Sequence, residues 1–152
     1  GQVPCFEFQG RRFGVDLVGE KLDPSLATQA LQAVAKIAPL RAVSLLAVAT
    51  TGQTTPHYVG LLEGDMPEDS AQQTRWANAL DQALRQSFHY ELARDLGQLA
   101  LPRICVVADG WASYKALAMR AGMIEGNIKP EPLKQIDHAV FAGLMDVPHE
   151  CV

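Results

Sequence analysis

The fold turns on "AVSLLAVATTGQTTPHYVGLLEG", residues 42–64. "AVSLLAVAT" is a nearly continuous apolar run rich in branched side chains, which predicts a strand covered on both faces. "TTGQTTP" carries the glycine, threonine and proline of a turn. "HYVGLLEG" is a second buried run, so the two should form an antiparallel pair at the centre of a sheet.

Outward from that pair, helices and strands follow from local signals. Towards the N-terminus, Asp23 offers a cap oxygen and Pro24 fits the first helical position. Leu26, Ala30, Leu31, Val34 and Ile37 then recur at helical spacing until Pro39. Further back, "CFEFQ" (5–9) and "RFGVDLVG" (12–19) read as a strand pair. Towards the C-terminus, Ser70 with Gln73 forms a capping-box start for a helix bearing Trp76, Leu80, Ala83, Leu84 and Phe88. That helix is expected to bend near His89 and end at Gly97. "PRICVVAD" (102–109) is the next strand, followed by a helix from Trp111 to Ala121 closed by Gly122. "MIEGNIKPEP" is a loop, and Leu133, Ile136, Val140, Phe141 and Leu144 read as a last amphipathic helix. The tail "DVPHECV" is expected to be loose. Together these elements predict an α+β domain, a small mixed sheet with flanking helices in a ferredoxin-like, split βαβ arrangement.

A chain of 152 residues suits one domain, and 48% apolar with 20% charged residues is ordinary for a globular protein. The net charge of −4 argues against a nucleic-acid surface, which needs a concentrated basic face. No apolar run reaches membrane-spanning length, so no membrane partner is expected. No cationic and apolar opening series suggests a signal peptide. The chain opens on "GQVPCFEF", straight into a strand-like run without methionine, which leads us to expect a piece of a longer protein. Cys5, Cys105 and Cys151 are odd in number and widely spaced, so reduced core thiols in a cytoplasmic protein are the expectation.

No complete catalytic pattern stands out. There is no Walker loop, Rossmann fingerprint or paired-cysteine zinc pattern. His57, His89, His138 and His149 fall in different elements, so core or surface roles are expected for them, and no metal site. What remains is a set of cations at loop edges: Arg11, Arg12, Lys21, Arg94 and Lys129. Arg12 and Arg94 read as surface charges. Lys21 stands just before the first helix, where an ammonium and backbone amides converging on one spot would suit a phosphate. The residues equally allow Glu20 to neutralise it locally.

Four stretches resemble one family. "FEFQGRRFGVDLVGEKL" (6–22), "TPHYVGLLEG" (55–64), "LDQALRQSFHYELAR" (80–94) and "ICVVADGWASYKALAMRAGMIEGNIKP" (104–130) are similar, in order, to the C-terminal domain of the auxin-responsive acyl-acid amido synthetases, the Gretchen Hagen three family. The similarity runs over about residues 3–133. Two departures stand out: Ser87 replaces the usual asparagine before the tyrosine, and "KPEPL" lacks the arginine that commonly follows.

The resemblance implies an ATP-dependent ligase that joins an acyl acid to an amine, typically an amino acid, through an acyl adenylate. It makes residues 1–152 a mobile C-terminal domain, inactive alone, whose partner is its own N-terminal adenylation domain. That domain would hold most of the ATP and Mg2+. Lys21 would be the catalytic cation, with Arg11, Lys21 and Lys129 on the nucleotide side. The alternative from a different class is a non-catalytic ferredoxin-like domain that binds a small ligand or a protein.

Overall fold

The computed structural model describes residues 17–50, 54–67, 69–144 and 150–151. Helix α1 (Pro24–Ile37) leads into strand β1 (Arg41–Ala49) and strand β2 (His57–Glu63). Helices α2 (Ser70–Leu84) and α3 (Phe88–Asp95) follow, then β3 (Arg103–Val107) and α4 (Gly110–Arg120). A 3-10 turn (Glu125–Asn127), β4 (Leu133–Asp137), α5 (His138–Leu144) and β5 (Glu150–Cys151) complete the order.

As the apolar runs predicted, β1 and β2 pair antiparallel at the centre, Leu46 opposite Val59. The sheet runs β4-β1-β2-β3-β5. The β1–β4 and β2–β3 pairs are parallel, and β3–β5 is antiparallel. It is an open mixed sheet flanked by helices, consistent with the expected ferredoxin-like α+β arrangement.

The flanking helices lie on both faces, which is why the middles of β1 and β2 are nearly continuous apolar runs rather than alternating. On one face Leu45, Ala47, Tyr58, Leu62, Ile104 and Val106 meet α1, α2 and α3. On the other, Leu46, Val48, Val59, Leu61, Cys105 and Val107 meet α4 and α5. Gly60 lets the helices approach: a Cβ there would lie 3.2 Å from Leu80 Cδ2 and 3.3 Å from Ile104 Cδ1.

Several local expectations are corrected. Residues 133–137 form a strand, not the start of a helix. Leu133 and Ile136, three apart, would share a helical face, but in β4 they point to opposite faces and enter opposite cores. The exposed flank of β1 captures this segment, beginning with Leu45 N–H donating to the Pro132 carbonyl at 2.8 Å. The N-cap of α2 is Asp69, whose carboxylate accepts from Gln72 N at 2.8 Å, rather than Ser70. The expected bend at His89 is a full break: Ser87 caps a separate helix by accepting from Tyr90 N at 3.3 Å. Serine and asparagine are comparable caps, so the Ser87 departure leaves the helix start intact.

Leu17, Val18 and Gly19 form a bend rather than the end of a strand. The rest of that expected strand pair, with Cys5, Arg11, Arg12 and His149, lies outside the described residues. Two tail residues, expected loose, pair with β3 as β5. Cys105 is disulfide-bonded rather than a reduced thiol, and the β3–β5 register sets Cys151 opposite it.

Candidate functional site

From Gly19 to Asp23 outward and inward residues alternate. Gly19 has φ +105°, which turns the chain at a position where a side chain would be strained. The Glu20 carboxylate, 2% exposed, then folds back to accept from Leu17 N at 2.9 Å and Val18 N at 2.8 Å. It also accepts from the Tyr58 hydroxyl. Leu22 is fully buried in the core, and Asp23 caps α1 by accepting from Ser25 N at 2.7 Å.

Lys21 lies between two buried neighbours and points outward, exposed, with φ +45°. Its ammonium makes no ion pair among the described residues. The local neutralisation by Glu20 that the sequence allowed does not occur, because that carboxylate is turned inward. Few helix amides are left to converge on the same spot. Pro24 has no N–H, Ser25 N bonds the Asp23 side chain, and Ala27 N bonds the Asp23 carbonyl. Any phosphate here would be met chiefly by the Lys21 ammonium.

Tyr58 ties this loop to a second network. Its ring lies 6.0 Å from that of Tyr90, whose hydroxyl donates to Asp81 Oδ1 at 2.8 Å. Asp81, 5% exposed, also accepts from Arg94 Nε at 2.9 Å and from Arg85 Nε at 3.1 Å. Arg94 further donates to the Leu99 carbonyl at 3.2 Å. Arg94 is thus a largely buried structural cation, not the surface charge expected. Burial pushes the Asp81 carboxyl up, but hydrogen bonds from Arg94, Tyr90 and Arg85 outweigh it and hold it below the usual value. Burial, reinforced by the Asp81 charge, pushes the Tyr90 phenol well up, so it donates and does not ionise.

Lys129 sits on a separate device. The buried Tyr114 hydroxyl donates to the Lys129 carbonyl at 3.2 Å and accepts from Glu131 N at 3.2 Å. Burial pushes that phenol up to about 12. Ser44 Oγ donates to the Glu131 carbonyl at 2.7 Å, fixing the loop as it enters β4. The Lys129 side chain is exposed. Tyr58 belongs to the core under α1–α3 and Tyr114 to the core under α4 and α5. The two lysines are therefore anchored through opposite faces of the sheet, and no contact joins them.

The glutamate ending β2 also has a role that its sequence did not show. Glu63 Oε2 accepts from Gly110 N at 2.9 Å at the start of α4, and Arg41 Nε lies 3.4 Å from its other oxygen. His57, 4% exposed, is held below its usual pKa first by burial and then by Arg103. Among the described residues no three His, Cys, Asp or Glu side chains gather as a metal site. No helix among them is long and apolar enough to cross a membrane.

The described parts of the four stretches are thus organised around side-chain anchors: Glu20 with Tyr58, Asp81 with Tyr90 and Arg94, Glu63 with Gly110, and Tyr114 with the Lys129 loop. The sequence profile described as "GH3 family C-terminal domain" matches residues 25–136. The chain belongs to the GH3 family, as a C-terminal domain. Among solved structures it is similar to "GH3.15 acyl acid amido synthetase", with TM-score 0.63 and 12% identity, over 91% of this chain. It is also similar to "AtGH3.15 acyl acid amido synthetase in complex with 2,4-DB", with TM-score 0.58 and 12% identity, over 88% of this chain. At that identity the likeness concerns the fold. The chain spans 26% and 25% of the lengths of those two synthetases. No curated protein matches it in sequence.

Proposed function

We propose that this GH3 C-terminal domain is the mobile closing domain of an ATP-dependent ligase joining an acyl acid to an amine, typically an amino acid. The observation that carries the proposal is the family match over residues 25–136. In the first half-reaction an acyl carboxylate oxygen attacks the α-phosphorus of ATP and pyrophosphate leaves. In the second, the amine attacks the acyl carbonyl and AMP leaves. The larger portion of the enzyme outside this chain would hold the acid, most of the ATP and its Mg2+.

The chain's own contribution is charge delivered on closure. Lys21 is exposed, unpaired among the described residues and set on a backbone fixed on both sides, so it can meet phosphate without first breaking a salt bridge. An ammonium is a compact point charge, suited to a contact that forms and is released in each cycle. It would stabilise the negative charge that develops on the α-phosphate and on departing pyrophosphate. Arg11 and Lys129 are assigned to the nucleotide side, Lys129 from a loop already pinned by Tyr114.

A second reading, a non-catalytic binding domain, is favoured by one surface feature. Phe88, Leu92 and Leu96 lie at i, i+4 and i+8 along α3 and its cap, and Phe88 is 69% exposed. Assay of the full-length protein separates the two. The ligase reading predicts AMP formation that needs both acid and amine and is lost when this domain is deleted. The chain alone should catalyse no ATP–pyrophosphate exchange. Acid-independent ATP turnover, or robust exchange by this chain alone, would overturn the proposal.

A further inference from the structure

We propose that Glu20 and Tyr58 form a latch that positions Lys21, and that Tyr58 is a positioning residue for the adenylation step. The inference rests on the reading of Lys21 as the phosphate-contacting cation and adds how the cation is aimed.

The backbone is the starting observation. Lys21 has φ +45°, in the left-handed region that a residue with a Cβ enters only under strain. A lysine that merely keeps a surface wet needs no such conformation, since extended backbone would expose it without strain. Here both neighbours are fixed instead. Leu22 is fully buried, and the Glu20 carboxylate takes three donors: the amides of Leu17 and Val18, and the Tyr58 hydroxyl. The two amides are local and would hold Glu20 in a turn of any orientation. Tyr58 is the long-range contact, 38 residues away on β2, and it secures the turn to the sheet.

The chemistry of the contact suits a latch. A buried carboxylate needs its donors, and a buried phenol needs an acceptor, so each holds the other. With both engaged, the chain must leave the core at Lys21 and re-enter at Leu22, which sends the ammonium outward along one path. Because α1 begins at Pro24, the latch also fixes where that path lies relative to the rigid helix. Holding a charged group in place before the reaction is what lets one contact act in the transition state, and a shift of about 1 Å can cost on the order of a hundredfold in rate.

The test uses the full-length enzyme in steady-state ATP–pyrophosphate exchange. Tyr58→Phe removes only the hydroxyl. It should lower kcat by tenfold or more while leaving the KM for ATP within about twofold. Combined with Lys21→Ala, it should lower the rate no further than Lys21→Ala alone, because both act through one group. Glu20→Gln keeps one of the two carboxylate oxygens and sets an NH2 donor in place of the other, so it weakens the turn as well as the Tyr58 contact; it should lower kcat at least as much as Tyr58→Phe and gives the same reading should the tyrosine variant fail to fold. Circular-dichroism melts establish that each variant is folded at the assay temperature. A folded Tyr58→Phe or Glu20→Gln enzyme with parental kcat, beside an impaired Lys21→Ala, overturns the latch and leaves the role of Lys21 standing. Losses that multiply in the double variant overturn it as well. A Lys21→Ala enzyme at parental rate overturns the phosphate-contact reading itself.

Discussion

Replacing Asp81 by alanine should be among the most damaging single changes in this domain. The carboxylate takes hydrogen bonds from Tyr90, Arg94 and Arg85. Breaking a buried ion pair from one side costs about 3–5 kcal/mol, since the remaining charge is left uncompensated. Two features of the structure place the cost at the lower end. The Arg94 and Arg85 side chains keep 17% and 21% of their exposure, and each keeps another acceptor, the Leu99 carbonyl and the Asp95 carboxylate. Tyr90 has no such relief, and its buried hydroxyl would lose its acceptor. About 3 kcal/mol follows, a fall in Tm of roughly 10 °C for a domain of this size. Thermal unfolding of the chain at pH 7, followed by circular dichroism, measures it. The pH dependence supplies an independent arm. The folded-state pKa lies below the unfolded value, so this stabilisation is present above about pH 4 and is lost as the pH falls through the folded value. The gap between Asp81→Asn and the parent should accordingly narrow below pH 4. A fall of less than about 3 °C for Asp81→Ala would refute the reasoning.

Three further outcomes are expected. Gly60→Val should destabilise by about 1–3 kcal/mol, read as a lower denaturation midpoint, because a Cβ at that position already meets Leu80 and Ile104. His57, buried and held below its usual pKa, must bind a proton on unfolding in mild acid. The parent should then lose Tm as the pH falls below about 6.5, and His57→Leu should show a flatter profile over the same interval. Tyr114→Phe should release the Lys129 loop, seen as faster amide exchange at Glu131 with a stability loss of about 1 kcal/mol.

Much of this frame was legible in the sequence because it is set by local signals. Asp23 and Pro24 mark the start of α1, the apolar runs mark β1 and β2, and Gly97 and Gly122, with φ +77° and +100°, close their helices as read. β4 was hidden because Leu133 and Ile136 carry a spacing that suits one helical face or two strand faces equally. Only the unpaired flank of β1 decides between them. The site divides in the same way. The exposed lysine before a helix was visible, whereas the anchors behind it were not. Glu20 and Tyr58 are 38 residues apart, and Asp81 and Arg94 meet only because the chain breaks at Ser87 and turns α3 back on α2. Sequence spacing within one helix could not have paired them, and so Arg94 read as a surface charge.

The most direct test of the proposed role is ATP–pyrophosphate exchange by the full-length enzyme carrying Lys21→Ala, compared with Lys21→Arg and the parent. If the ammonium meets phosphate charge mainly in the transition state, Lys21→Ala should lower kcat by a factor on the order of a hundred to a thousand with a smaller change in the KM for ATP. Lys21→Arg should recover only part of that loss. A folded Lys21→Ala enzyme that exchanges pyrophosphate at the parental rate would contradict it and return Lys21 to the status of a surface charge.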